Sequence, residues 1–171
     1  MIRSARPVAL AMTALFVCLC PLSAQEPLQQ SPITPGFWVW PRQKTTDPQV
    51  IAELCRDKLA LQFADGRYLG IKLRIEGKPN VPPEIDEVGR CSFNKATQVE
   101  RCDLKQFNED GSTAVGFIES RYSYDADRTL KMSVKVTVTE GDPKDPAAFD
   151  VYPVPCSSEV VWDSLHKFDP K

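Results

Sequence analysis

Residues 59–75, LALQFADGRYLGIKLRI, contain the strongest hairpin signal of the chain. Apolar side chains recur at every second position on both sides of Asp65-Gly66, a dipeptide that supplies the positive φ of a tight hairpin turn. These apolar residues are Leu59, Leu61 and Phe63 before the turn and Leu69, Ile71, Leu73 and Ile75 after it. The pattern predicts two antiparallel strands, each with one apolar and one polar face.

Further strands follow toward the C-terminus. The ten residues between Cys91 and Cys102 are typical of a second hairpin, and the Asp110-Gly111 turn leads into a strand over residues 113–124. Residues 129–139 alternate most regularly of all. Their apolar side chains are Leu130, Met132, Val134, Val136 and Val138, and their polar ones are Lys131, Ser133, Lys135 and Thr137. This strand therefore has one buried and one wet face.

Six strands joined by hairpins, with a seventh near residues 149–154, predict an all-β fold: an antiparallel meander that closes into a small barrel. Closure buries the apolar face and removes exposed edges. Asp47-Pro48 is typical of a helix start and predicts one short N-terminal helix that ends near Cys55. Residues 157–166 are compatible with a short C-terminal helix.

The interior of the barrel depends on which bulky side chains face each other. We expect the apolar residues of 69–75 and of 129–139 to lie on opposite walls, where large side chains fill a small barrel. The barrel centre is then packed, and any pocket is shallow and lies near Trp38 and Trp40.

The N-terminus predicts a secretory signal peptide over residues 1–24. Arg3 and Arg6 precede an apolar run over residues 8–19, and small residues follow. The run is too short for a good membrane anchor, since a spanning helix needs about 20 residues. We expect cleavage after Ala24; a cut one or two residues away and an uncleaved anchor are the alternatives. The protein is then periplasmic or secreted, from a bacterium, with no membrane span after cleavage.

The mature chain is predicted to form a single domain. Residues 25–36 are rich in Gln, Pro and Ser and predict a flexible leader, and residues 37–168 predict one disulfide-bridged β domain. Signal cleavage removes two arginines and leaves 19 basic against 23 acidic residues, a net charge of −4. Binding to nucleic acid needs a basic patch, so this balance argues against it.

Four cysteines remain in the mature chain, and an even number in an exported protein predicts a disulfide framework. Three pairings are possible. Cys91 and Cys102 flank a predicted hairpin, so we favour a bridge between them, which leaves Cys55 to pair with Cys156. A metal site would require close pairs such as C-x-x-C, which are absent from the sequence.

No set of residues in the sequence has recognisable catalytic chemistry, so we predict no catalytic, cofactor-binding or metal-binding residues and expect that the protein is not an enzyme. The single histidine, His166, has no candidate partner as a base. A cluster of Glu84, Asp86 and Glu87 is interpreted as solvated loop charge. Asp125 and Asp127 have the first ligand spacing of a calcium loop without its glycine and closing glutamate, and so indicate a turn.

Aromatic residues are the remaining functional candidates. Trp38, Trp40, Phe63 and Tyr68 could line the mouth of a barrel and bind an apolar ligand. The alternative is that they pack the core and its rim.

Two resemblances rest on the segment before the first predicted strand. Gly36-Phe37-Trp38 resembles the G-x-W motif of lipocalins, which implies a small meander barrel with a C-terminal helix and a ligand site in its mouth. Residues 35–38, Pro-Gly-Phe-Trp, are also similar to the P-G-x-W opening of uncharacterised bacterial periplasmic domains. Small barrels that inhibit metalloproteases in the periplasm are a third analogue.

These observations predict an exported, non-enzymatic binding module that is lipocalin-like at best and whose ligand is unknown. A small apolar molecule or a protein of the cell envelope is the expected partner. The alternative function is a periplasmic protein-interaction or protease-inhibitor-like domain.

Overall fold

The computed structural model describes residues 28–74, 82–141 and 148–166. The predicted signal peptide, residues 25–27 of the predicted leader, Ile75 and residues 167–168 lie outside these ranges. Within them, neither helix has the length and apolar character that crossing a bilayer requires.

Nine antiparallel strands and two short helices make up the described chain. The helices are α1 (Pro48–Leu54) and α2 (Ser158–His166). The strands are β1 (Gly36–Val39), β2 (Lys58–Gln62), β3 (Arg67–Lys72), β4 (Glu84–Asn94), β5 (Val99–Phe107), β6 (Thr113–Tyr124), β7 (Leu130–Glu140), β8 (Ala148–Val151) and β9 (Val154–Cys156). The predicted all-β fold with two short helices is confirmed.

All nine strands belong to one curled sheet in the order β8-β7-β6-β5-β4-β3-β2-β1-β9. Strands β1 to β8 follow each other as a meander, whereas β9 pairs with β1 at the far edge. Only Tyr152 and Pro153 separate β8 from β9, so the two edges of the sheet meet at this point. The Tyr152 N–H donates to the Pro41 carbonyl at 2.9 Å and ties the chain after β1 to this seam.

The hairpin of residues 59–75 folds as its pattern predicts. Leu61 pairs with Leu69 across β2 and β3, and the turn places Gly66 at a φ of +83°. A side chain at this position would approach the Cys91 carbonyl oxygen within 2.4 Å. Glycine is therefore required at position 66 both by the backbone conformation and by the proximity of β4.

The two faces of the sheet bury separate apolar cores. On the convex face, α1 and α2 cover Val39, Leu59 and Leu73, with Val161 of α2 buried against them and Ile71 packed at the side. On the concave face, Met132, Val134 and Val151 form the second core.

This division corrects the expectation of a packed barrel centre. Ile71 and Leu73 belong to the convex core, whereas Met132 and Val134 face the concave side. The two bulky sets therefore lie on opposite faces of one sheet and cannot fill the barrel between them. The odd-numbered apolar residues of β2 and β3 point to the convex face, because α1 and α2 pack there and bury them.

Both disulfides have the pairing that the sequence favours. Cys91 and Cys102 lie opposite each other on β4 and β5. Cys55, which ends α1, is bonded to Cys156 of β9, 101 residues away. Two disulfides indicate a protein made for an oxidising environment.

Residues 28–36, for which the sequence predicts a flexible leader, contact one end of the barrel. The backbone of Leu28 exchanges two hydrogen bonds with the Gln98 side chain in the β4–β5 turn, at 2.6 and 2.9 Å. Ile33 is only 5% exposed. We call residues 28–35 the strap, because they run from this turn to the start of β1.

Candidate functional site

The concave face encloses a cavity of about 390 Å³. This volume lies within the usual range for small-molecule sites, roughly 300–1,000 Å³. Its lining comes from the strap, from the segment after β1 and from β2 to β8. Residues that line the cavity include Ile33, Trp40, Arg42, Lys58, Gln62, Tyr68, Glu87, Cys91, Glu100, Cys102, Leu104, Gly116, Ile118, Ser120, Val134, Val136, Val138 and Phe149.

One wall of the cavity is apolar. It consists of inward side chains of β6, β7 and β8 that lie side by side in the sheet, so that Ser120, Val134 and Phe149 form one row. The next row holds Ile118 and Val136, and the one after it Gly116 and Val138. Gly116 adds no side chain to the last row, and a Cβ at this position would lie only 2.3 Å from the Thr137 carbonyl oxygen of β7.

The opposite wall carries an ionic cluster, which we call the lysine cluster, in which Asp86 is buried, Glu87 is partly buried and Lys58 is partly exposed. Its centre is the Lys58 ammonium group, which lies 2.7 Å from Asp86 Oδ2 and 3.3 Å from Glu87 Oε1. The Tyr68 hydroxyl donates to Glu87 Oε2 at 3.2 Å. Burial opposes the charged form of Lys58, but the charges of Glu87 and Asp86 outweigh it and raise the pKa of the ammonium group.

A β-bulge explains how two consecutive carboxylates reach one lysine. Gly70 pairs with Glu87 and Ile71 pairs with Ile85, so Asp86 is an extra residue in β4. The bulge interrupts the alternation of side chains, and both Asp86 and Glu87 contact Lys58. Their interpretation as solvated loop charge is wrong: Asp86 is 4% exposed and lies in a strand, although Glu84 is exposed.

A second polar group, the Glu100 cluster, lies at the strap end of the cavity. Glu100 is 6% exposed and accepts a hydrogen bond from the Tyr122 hydroxyl through Oε2. Phe93 is its partner across β4 and β5, and the Phe93 and Tyr122 rings lie 6.5 Å apart. A shallower hollow under the strap is also lined by Phe93 and Glu100, so this carboxylate borders both spaces.

The tyrosines of the two clusters are held in their neutral form. Burial raises the pKa of Tyr68 well above its usual 10.0, and the neighbouring Glu87 charge adds to this effect. Burial and the charge of Glu100 likewise raise the pKa of Tyr122. Both hydroxyls therefore remain hydrogen-bond donors to carboxylates at any physiological pH.

We expect the protein to lose stability steeply at alkaline pH. Above about pH 10 the unfolded chain releases the protons of Tyr68 and Tyr122, whereas the native state keeps them. The stabilisation is complete below pH 10 and declines above it, by about 1.4 kcal/mol per pH unit for each tyrosine. Urea unfolding at intervals between pH 9 and 11 measures this slope. Tyr68→Phe and Tyr122→Phe should each flatten it, and slopes equal to that of the wild type would contradict the prediction.

The structure brings only some of the predicted ligand-binding aromatic residues to the cavity. Trp40 and Tyr68 line it. Trp38 is buried behind them, where its ring stacks on Trp40 at 6.3 Å and its N–H donates to the Thr34 carbonyl. Phe63 lies in the hollow under the strap, with the Arg67 guanidinium 4.6 Å from its ring centre.

The other candidate residues occupy ordinary positions. Asp127 pairs with Lys44 and accepts from the Thr129 N–H, contacts that lower the pKa of its carboxyl to about 2. His166 ends α2, and its side chain lies outside the described part of the structure. In residues 28–74, 82–141 and 148–166, no three His, Cys, Asp or Glu side chains are grouped so that they could hold a metal ion.

Sequence reasoning missed Lys58, Asp86 and Glu100 as lining or supporting residues of a site. For Glu100 a signal was present, because it shares the period-two face of β5 with Cys102 and Leu104. A carboxylate on an otherwise inward face is unusual, since charged residues are rarely buried without a partner. For Asp86 the sequence holds no such signal, because the bulge is a property of the paired strands.

Comparison with known proteins does not assign this chain to a family. No family model matches it, and no curated protein or solved structure has significant similarity to it.

Proposed function

We propose that this protein is an exported, non-enzymatic binding module that holds one small, largely apolar molecule inside its barrel. The cavity of about 390 Å³, with an apolar wall on β6 to β8, is the observation that carries the proposal. A barrel of this kind either fills its interior with side chains or keeps space for one ligand. At the ~30 Å³ that one water occupies in the liquid, the cavity has room for about a dozen non-hydrogen atoms.

The periplasm of a bacterium is the proposed location, with residues 1–24 as the cleaved signal peptide. The two disulfides support an oxidising compartment. The lipocalin-like resemblance of Gly36-Phe37-Trp38 agrees with a ligand inside the barrel, and Trp38 stacks against a cavity residue, Trp40.

We expect ten-carbon probes to bind the cavity. Isothermal titration calorimetry with 1-decanol, decanoate and decylamine should give saturable, one-to-one binding of at least one of them. Val134→Trp should abolish it, because the new side chain fills the space between β7 and the opposite wall. Lys135→Trp is the matched control, since it adds the same side chain to the exposed face of the same strand. Equal binding by both variants, with circular dichroism showing that both are folded, would refute the proposal.

Native mass spectrometry of the protein taken from its own cells separates this function from the alternative. A bound small molecule supports the proposed carrier role. A stoichiometric protein partner, with an empty cavity, would instead support the interaction or inhibitor role.

A further inference from the structure

The lining of the cavity is rich in carboxylates, whereas a carrier of fatty acids would need free cationic side chains to pair with the ligand's carboxylate. Three carboxylates lie on or directly behind it: Glu87 and Glu100 line it, and Asp86 is buried beside Lys58. Two cationic side chains also line it, and both are already engaged. Lys58 holds Asp86 and Glu87, and the exposed Arg42 guanidinium lies 3.3 Å from the centre of the Phe149 ring.

Glu100 is the carboxylate without a counter-charge. No ion pair among the described residues includes it. Its hydrogen bond from Tyr122 comes from a neutral group. A buried carboxylate that lacks a cation is costly to desolvate, so this position favours a ligand that brings a positive charge.

The surroundings of Glu100 suit an organic cation. The Phe93 and Tyr122 rings lie close to each other on the same side of the sheet, tilted by 52°. Aromatic faces attract ammonium groups, and the attraction is stronger where water is excluded. The strap closes this end of the barrel, because Ile33 is almost fully buried and lines the cavity.

The apolar wall of the cavity lies directly beside Glu100. Glu100 lies in the same row as Ser120 and Val134, and the inward residues of the next two rows are uncharged. These two rows hold Cys102, Ile118 and Val136, then Leu104, Gly116 and Val138. Four residues along β5, at about 3.4 Å each, give an apolar path about 14 Å long.

We propose that the ligand is a cationic amphiphile, an aliphatic or arylalkyl amine whose ammonium group pairs with Glu100 from the cavity side, next to the Phe93–Tyr122 ring pair. Its apolar chain lies along β6 and β7 toward Val138. This assignment rests on the proposed function, because it names the class of ligand for the same cavity.

The test compares three probes that share a chain and differ in charge: decylamine, 1-decanol and decanoate, titrated by calorimetry at pH 7. Decylamine should bind most tightly and decanoate least. Glu100→Gln keeps the acceptor for Tyr122 and removes the charge, so it should weaken decylamine about 30-fold and change 1-decanol less than about threefold. Glu119→Gln is the matched control, with the same charge change on the other face of the neighbouring strand, and should leave all three affinities unchanged.

Two outcomes would contradict the cationic ligand but leave the proposed function standing. One is that decanoate binds as tightly as decylamine, and the other is that a folded Glu100→Gln variant keeps its affinity for decylamine. If Glu100→Gln does not fold, Phe93→Leu provides the second test, since loss of the ring should weaken decylamine more than 1-decanol. Absence of binding by all three probes would count against the proposed function and against this assignment with it.

Discussion

Replacing Cys55 and Cys156 together by alanine should lower the free energy of unfolding by about 4–5 kcal/mol. This disulfide joins residues 101 apart, and its removal frees the unfolded chain from its longest closed loop. It also fastens α1 to the edge strand β9, and both sulfurs are part of the convex core. Urea unfolding of the oxidised proteins at pH 7 measures the loss, which approaches the whole stability of an ordinary domain.

Replacement of Cys91 and Cys102 by alanine is the matched comparison. Their loop spans only 11 residues, so the same chain-entropy argument gives a smaller loss of about 3 kcal/mol. Strands β4 and β5 also pair with each other on both sides of this disulfide, so their register does not depend on it alone. A loss equal to or larger than that of the Cys55–Cys156 variant would contradict the ranking.

Lys58→Met should destabilise the protein by about 3 kcal/mol. Among the described residues, Lys58 is the only cation paired with Asp86, whose side chain is 5% exposed, so the change leaves a buried charge unpaired. Breaking a buried ion pair typically costs about 3–5 kcal/mol. We expect the lower end of this range because the Lys58 side chain is 45% exposed, so water can partly replace the ammonium group.

A double-mutant cycle separates the loss of this charge pair from the loss of packing. Asp86→Asn in the Lys58→Met background should recover a large part of the stability, because the neutral amide no longer needs a counter-charge. Lys131→Met is the control, since Lys131 pairs with Asp150 at 2.7 Å on the surface and should cost less than about 1 kcal/mol. Equal losses for the two lysines would show that the buried pair has no special role.

The site and the fold depend on the same division of the sheet into two faces. Helices α1 and α2 cover the convex face of β1, β2, β3 and β9, and leave the concave face free to build a cavity. Polar residues concentrate on β2 to β5 and apolar ones on β6 to β8. The cavity is therefore amphipathic, which suits a ligand that has both a charged head and an apolar chain.

Much of the fold could be predicted because its signals are local. The turn at Asp65-Gly66 and the alternation of residues 129–139 each determine one hairpin or strand without reference to the rest of the chain. Strands β1 and β9 were missed as strands because they are only four and three residues long. Pro155 lies in β9, and proline argues against a strand except at an edge, which is where β9 lies.

The candidate site was much harder to predict. Trp40 and Tyr68 were found because aromatic residues are common in ligand sites. The sequence does not reveal that Asp86 is buried, because a bulge reverses the side-chain direction in β4, and a bulge depends on how two strands pair. Glu100 was overlooked although its position among inward residues was visible in the sequence.

The sequence alone predicts seven of the nine strands, their meander order, the N-terminal helix, a possible C-terminal helix and a favoured disulfide pairing among three. These follow from the side-chain period, the turn residues and the spacing of cysteines, all of which act over short stretches of chain. Which face of each strand points inward depends on the packing of the whole sheet. Alternation marks an apolar face but does not say whether helices or the opposite wall cover it. The packing of α1 and α2 on the outer face turned Ile71 and Leu73 away from Met132 and Val134, and so left a cavity where a packed centre was expected.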